Sequence, residues 1–189
     1  MKELVFLLEE LSAKEMLTGI LPKLNHRLGD PVFIVFEGKS DLEKRMERKI
    51  RGYLNPDAVF IIIRDQDAGD CHFIKEQLLM KCKNTGKDGK CLVRIVCHML
   101  ENWFLADLSA VESAFGLRGL ARKQNSAKFR APDNLPNAHQ VLTQLVPGYQ
   151  KVSGARAIAP YMDIENKRSK SFAAFVSGYR KLWEEKPDE

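Results

Sequence analysis

Short apolar runs alternate with longer segments of helical periodicity through the first hundred residues. KELVFLLE (2–9) predicts a strand. SAKEMLTGILPKLNHRL (12–28) then sets Met16, Leu17, Ile20, Leu21 and Leu24 at helical spacing, with Ser12 and Glu15 spaced as a capping box. PVFIVFEG (31–38) predicts the second strand. SDLEKRMERKIRGYL (40–54) repeats the helical pattern, with Ser40 and Glu43 as cap partners and Leu42, Met46, Ile50 and Tyr53 or Leu54 facing inward. Next come the strand AVFIII (58–63), the helix CHFIKEQLLMKCK (71–83), a Gly- and Lys-rich turn NTGKDGK (84–90), the strand CLVRIVCHML (91–100) and the helix ENWFLADLSAVESAF (101–115).

Four strand–helix alternations imply an α/β fold with a mostly parallel sheet flanked by helices, because right-handed crossovers cover both faces of such a sheet. The strands agree, being continuously apolar rather than alternating. After residue 117 the pattern changes to helix and loop: a polar basic stretch, a helix around NAHQVLTQLV (137–146), a break at Pro147 and Gly148, and a last helical region ending SFAAFVSGYRKLWEE (171–185). The expected organisation is an α/β domain over 1–117 with a helical, basic C-terminal extension, 118–189, packed on it. Ser169 and Ser171 of that extension are expected to cap its last helix, and Trp103 and Phe104 of the α/β domain to lie in the core.

Charge sharpens this division. Of 189 residues, 30 are basic and 25 acidic, but residues 118–182 hold 12 basic against 3 acidic while residues 1–117 are nearly balanced. A basic face beside an acidic one suits a phosphate-bearing partner, nucleic acid above all. No apolar run approaches the length of a membrane span. The four cysteines lack CxxC spacing, so a cytoplasmic protein with reduced thiols and no membrane partner is expected.

The acids themselves sit at telling places. Glu9 and Glu10 follow the first strand, Glu37 the second, Asp65 and Asp67 the third, with Asp70 close behind, and Glu101 follows the fourth. In a parallel sheet the carboxyl ends of the strands share one edge, where ligands of open α/β folds bind. Asp65 and Asp67 would project to one side if the period of two persists. Two carboxylates ~4 Å apart repel by about 4 kcal/mol at an effective dielectric near 20, so three would approach the whole stability of a domain. A divalent cation relieves that repulsion, and hard oxygen donors favour Mg²⁺ or Mn²⁺. Asp70 also suits a helix cap.

A glutamate after the first strand, then helix, strand, helix and a third strand ending in Asp-x-Asp, resembles the Toprim pattern of topoisomerases, bacterial primases and nucleases of the overcoming-lysogenization-defect type. FLLEELSAKEMLTGILPKL, FEGKSDLEKRMERKIRGY, RDQDAGDC, ENWFLAD and SKSFAAFVSGYRKL are similar, more closely, to the Toprim-like family called domain of unknown function 4276. FEGKSD (36–41) reads like the usual Toprim Glu-Gly-x-x-Asp segment, whereas LEELSA (8–13) has Glu10 where the glycine would be. Toprim order requires a strand between the glutamate and Asp-x-Asp, which selects Glu9 and leaves Glu10 and Glu37 in reserve.

The resemblance implies a metal-dependent nuclease, with phage defence among its settings. Glu9, Asp65 and Asp67 would be catalytic metal ligands, Asp70 and Glu101 auxiliary ones, and Lys151 and Arg156 would face substrate phosphate. His72 and His98 are expected to be structural. A phosphatase of the haloacid dehalogenase type would place Asp-x-Asp after the first strand, and nothing else speaks for a nucleotide-sugar site. The competing expectation is a non-catalytic or conditionally active module that docks on a separate ATPase, since the chain itself lacks the GxxxxGK[ST] phosphate loop.

Overall fold

The computed structural model describes residues 3–24 and 30–182. Lys2 of the first predicted strand, residues 25–28 of the first predicted helix and residues 183–185 of the last lie outside the described residues. Within the described residues four strands form one sheet: β1 (Leu4–Leu8), β2 (Val32–Val35), β3 (Val59–Asp65) and β4 (Cys91–Val96). Every pairing is parallel and the order is β2-β1-β3-β4. Leu8 lies opposite both Val35 and Ile63, so β1 and β2 end level while β3 runs two residues further, to Asp65.

Among the described residues eight α-helices accompany the strands: α1 (Leu11–Leu24), α2 (Lys39–Arg51), α3 (Cys71–Asn84), α4 (Glu101–Leu105), α5 (Leu108–Phe115), α6 (Ala138–Leu145), α7 (Lys151–Ile158) and α8 (Lys170–Lys181). The pleat sorts them. Leu4, Phe6, Leu8, Ile61 and Ile63 face a large core shared with α1 and α4 to α8, whereas Val5, Leu7, Phe60 and Ile62 face a smaller core built on α2 and α3. All of β1 is buried, at about 1.5–3 kcal/mol for each large apolar side chain withdrawn from water.

Helix starts depart from the expected caps. Gly38, at φ 93°, delivers the chain into α2 at Lys39 without a side-chain cap; Asp41, rather than Glu43, reaches back to accept the Glu37 N–H at 3.2 Å. Glu43 instead pairs with Arg64 at 2.9 Å. Ser12 lies inside α1 and donates to Glu10 Oε1 at 2.5 Å. The single helix expected over 101–115 is two, α4 and α5, because the Asp107 carboxylate caps α5 through the Ala110 N–H and also accepts the Asp163 N–H.

The large core draws on both halves of the chain. Trp103 is fully buried, stacks on Phe175, meets Phe172 edge-on and donates Nε1–H to Ser171 Oγ at 2.8 Å. Ser169 caps α8 through the Phe172 N–H, while Ser171 accepts the Cys97 N–H just beyond β4. The beginning of α8 is thereby tied to the carboxyl end of the sheet.

Candidate functional site

The strand order defines where a ligand belongs. From β1 the chain moves to β2 on one side, then returns across β1 to β3 and β4 on the other, so the topological switch point lies between β1 and β3. In open α/β sheets the crevice at that point, outside the carboxyl ends of the strands, is the usual binding place. Glu9 and Glu10 leave β1 there, and Asp65 and Asp67 leave β3.

The backbone knits the two exits together. The Asp65 N–H donates to Glu9 Oε2 at 3.2 Å, and the Gly38 N–H donates to the Glu9 carbonyl at 3.0 Å. Beyond Asp65 the extended conformation stops. Asp67 has φ 54° and His98 φ 57°, both in the left-handed region that side chains resist. The two lock each other: the Asp67 N–H donates to the His98 carbonyl at 2.7 Å, His98 Nδ1 lies 3.2 Å from the Asp67 carbonyl, and the His98 N–H donates to Gln66 Oε1.

That break corrects the expectation that Asp65 and Asp67 act from one side. Asp65, only 9% exposed, turns to the large core, where the Leu100 N–H donates to its Oδ2 at 3.2 Å. Burial, followed by the charges of Glu10, Glu9 and Glu101, pushes its carboxyl well above the ordinary range. Asp67 is half-exposed and pairs with Lys39 Nζ at 2.7 Å. Glu9 stands between the two groups: burial raises its pKa most, opposed by the Asp65 N–H, and the Asp67 charge raises it further.

The large-core side of the crevice contains more than the sequence pointed to. Glu101, 1% exposed at the start of α4, is hydrogen-bonded through Oε1 to His139 Nδ1 at 2.9 Å, and its carboxylate also faces the Tyr149 hydroxyl. Tyr149, 5% exposed, packs against the His139 ring, and its buried hydroxyl faces the Glu101 carboxylate. Burial and the nearby charges of Glu101 and Glu10 push that phenol up. Gly154 makes room for it, since a Cβ there would lie 2.1 Å from the Tyr149 ring. Lys151 Nζ is 3.2 Å from Glu10 Oε2, and it feels Glu101 and Asp65 as well.

The other expected site residues lie elsewhere in role or place. Asp70 caps α3, accepting the Phe73 N–H at 2.8 Å, which holds its carboxyl below the ordinary range. Glu37 is exposed beyond edge strand β2. Arg156 pairs with Glu15 of α1 at 2.7 Å on an exposed surface. Among the described residues no three His, Cys, Asp or Glu side chains are arranged to hold a metal ion, so the expected Glu9, Asp65 and Asp67 triad is not closed. The acids instead form two groups, each with a lysine: Glu9 and Asp67 with Lys39, and Glu10, Asp65 and Glu101 with Lys151.

Lys39, His139 and Tyr149 escaped sequence reasoning. Lys39 had one available signal, a cation immediately before a predicted helix, where the backbone dipole disfavours positive charge. His139 and Tyr149 had none, because only the tertiary packing of α6 and α7 brings them to Glu101. Exposed Arg168 and Lys170 flank Ser169 at the β4 end of the crevice.

The arrangement defines an α/β protein with an acidic crevice at the switch point of a parallel sheet, walled by the beginnings of α1, α2, α4, α6 and α7. The chain belongs to the family described as Domain of unknown function (DUF4276), whose model matches residues 8–179. No curated protein and no solved structure matches it.

Proposed function

We propose that the crevice is a Toprim-like, divalent-cation-dependent phosphodiesterase site acting on nucleic acid. One observation carries this reading: Asp65, whose N–H donates to Glu9 and whose buried carboxyl takes the Leu100 N–H, is driven toward its protonated form by burial and by the charges of Glu10, Glu9 and Glu101 at the switch point. A protein gains nothing in stability by gathering acids in this way. The donor chemistry fits Mg²⁺ or Mn²⁺, being entirely hard oxygen. Glu9 and Asp65 would hold the cation, with Asp67 on one side and Glu10 and Glu101 on the other. A bound divalent cation supplies Lewis-acid polarisation of a phosphoryl oxygen and a more acidic water.

The protein groups have separable duties. His139 orients Glu101, as carboxylates that serve cations are themselves hydrogen-bonded. Tyr149 closes the inner wall and excludes water from it. Lys151 supplies positive charge for the phosphate, and the exposed Arg168 and Lys170 extend that charge along the strand ends, where backbone contacts would give salt-sensitive, sequence-independent binding.

The test combines two measurements. Mn²⁺ is expected to raise the melting temperature by binding the native state, and Mn²⁺-loaded protein is expected to cleave single-stranded or duplex DNA or RNA. Absence of both responses rejects the proposal. The reading as a docking module for a separate ATPase has its own support in Phe73, Leu79 and Met80, which leave an apolar surface exposed on α3. Recovery of an ATPase by the wild type and not by Phe73→Ser/Met80→Ser, with no cleavage by the isolated chain, favours that role.

A further inference from the structure

The connection between α5 and α6, residues 116–137, is long for a loop with no strand or α-helix of its own, and such loops in compact domains commonly serve function. It is built on buried anchors. Leu120 and Phe129 belong to the large core. Gln124, 7% exposed, accepts the Leu108 N–H at 2.7 Å and donates to the carbonyls of Leu105 and Phe129, both at 3.1 Å. Asn102, fully buried next to Glu101, donates to the carbonyls of Pro132 and Leu135 at 2.7 and 2.8 Å. The end of the loop is thereby fixed beside the crevice wall. The outer surface of the loop carries one sign of charge: Arg118, Arg122, Lys123, Lys128 and Arg130 are all exposed, and residues 113–132 contain no acid. Among the described residues none of the five forms an ion pair, whereas Arg45, Arg51, Arg156 and Arg180 on the helices each hold an acid. Like charges gathered without counter-ions on a backbone held by neutral groups repel one another and add nothing to the fold. They suit a polyanion.

We propose that this loop is a binding surface for the phosphate backbone of a nucleic-acid duplex. The inference rests on the nucleic-acid half of the reading above and not on the cation. What the loop lacks selects the partner. Membrane-surface segments add apolar side chains that enter the bilayer, and protein interfaces have an apolar or aromatic centre. Among the described residues every exposed large apolar side chain lies outside this loop. Phe129, its only aromatic residue, is buried, so unpaired bases find no stacking platform. Phosphate remains, and a duplex presents it most densely, with one charge per about 1.7 Å of axis against about 3.4 Å along a single strand. Exposed Asn125 and Ser126, between the cations, add neutral donors for phosphate and sugar oxygens. The Ser171 N–H donates to Asp133 at 2.9 Å, which sets exposed Lys170 at the start of α8 beside the same loop. A duplex held there runs past the α4 side of the crevice.

Fluorescence anisotropy on the full chain, with EDTA present so that no cleavage intervenes, tests this across a potassium chloride series. The probes are labelled duplex DNA, duplex RNA and a single strand, each in unrelated sequences; the two duplex arms identify which nucleic acid is bound. Binding should be indifferent to sequence and tighter to a duplex. Arg122→Gln/Lys123→Gln and Lys128→Gln/Arg130→Gln should each make the dependence of log K on log salt shallower by about two and weaken binding about a hundredfold near 50 mM salt, since each phosphate contact contributes a slope of about 0.9. Lys44→Gln/Lys49→Gln removes the same charge from the exposed face of α2 and should change neither quantity. Circular dichroism verifies that each variant is folded. Loop variants that bind as the wild type does, an α2 variant equally weakened, or tighter binding to the single strand overturn the inference alone. Loop-dependent binding to phosphatidylserine vesicles, with none to a duplex, makes the partner a membrane and overturns it as well. A wild type that binds no nucleic acid at low salt overturns the inference and the nucleic-acid reading together. Loop-dependent duplex binding without Mn²⁺-dependent cleavage upholds the inference and counts against the phosphodiesterase alone.

Discussion

The two faces of the sheet treat the same kind of residue in opposite ways. On the face covered by α1 and α4 to α8, carboxylates are deeply enclosed: Asp65 and Glu101 are buried, and Asp65 is pushed strongly toward protonation. On the face covered by α2 and α3, Asp67 remains half-exposed beside an equally accessible lysine, and no comparable wall covers it. A thick helical layer confers low dielectric and fixed partners, whereas a thin one confers access. The crevice joins the two at Glu9, which responds to both.

The comparison breaks most severely if the thick layer is loosened. Trp103→Ala removes the largest fully buried side chain and the Ser171 hydrogen bond that ties α8 to the strand ends. A loss of about 3–5 kcal/mol is expected in urea unfolding, together with loss of any Mn²⁺ response. Gly154→Ala comes next. The new methyl would collide with the Tyr149 ring, so destabilisation of about 1–3 kcal/mol is expected from overpacking, and Mn²⁺ affinity should fall because the wall beside Glu101 shifts.

Asp65→Asn acts on charge rather than packing. The folded-state pKa of Asp65 lies above its ordinary value of 3.8, so the folded state binds the proton more tightly than the unfolded one. The resulting stability is present below the ordinary value and lost as pH rises through the raised one. At neutral pH the cation-free variant is therefore expected to melt above the wild type. The gap should narrow as pH falls from the raised value toward 3.8, and Mn²⁺ should stabilise the wild type alone. A gap that is independent of pH would place the cost of Asp65 outside its ionisation. Lys39→Met on the thin side is expected to move stability least, by no more than about 1 kcal/mol, which thermal melts without metal can check.

The central strands β1 and β3 are legible in the sequence because they are buried on both faces and read as unbroken apolar runs, and the half-buried edge strands β2 and β4 still read as short apolar runs. Asp70, Trp103 and Ser169 were also readable, since capping and aromatic burial are local or compositional signals. The paired carboxylates were harder. Alternation predicts that Asp65 and Asp67 share a side, but it fails where Asp67 adopts a left-handed backbone held by His98, a residue 31 positions away. The cap at α2 was misread for a related reason: Glu43 is engaged by Arg64 from β3, and Gly38 turns the chain without needing a serine. Partners that arrive from distant elements, such as His139 on Glu101, leave no periodic mark.

The central position of β1 also bears on how the chain is made. Its five apolar residues leave the ribosome before either neighbour, because β2 begins at Val32 and β3 at Val59. Until β3 emerges, LVFLL has at least one unpaired edge, and such a segment readily associates with other chains. The stretch of synthesis between β1 and β3, about fifty residues long, is therefore a vulnerable interval. Slowing translation within that interval should increase aggregation of the nascent protein, whereas slowing it after Asp65 has cleared the exit tunnel should not.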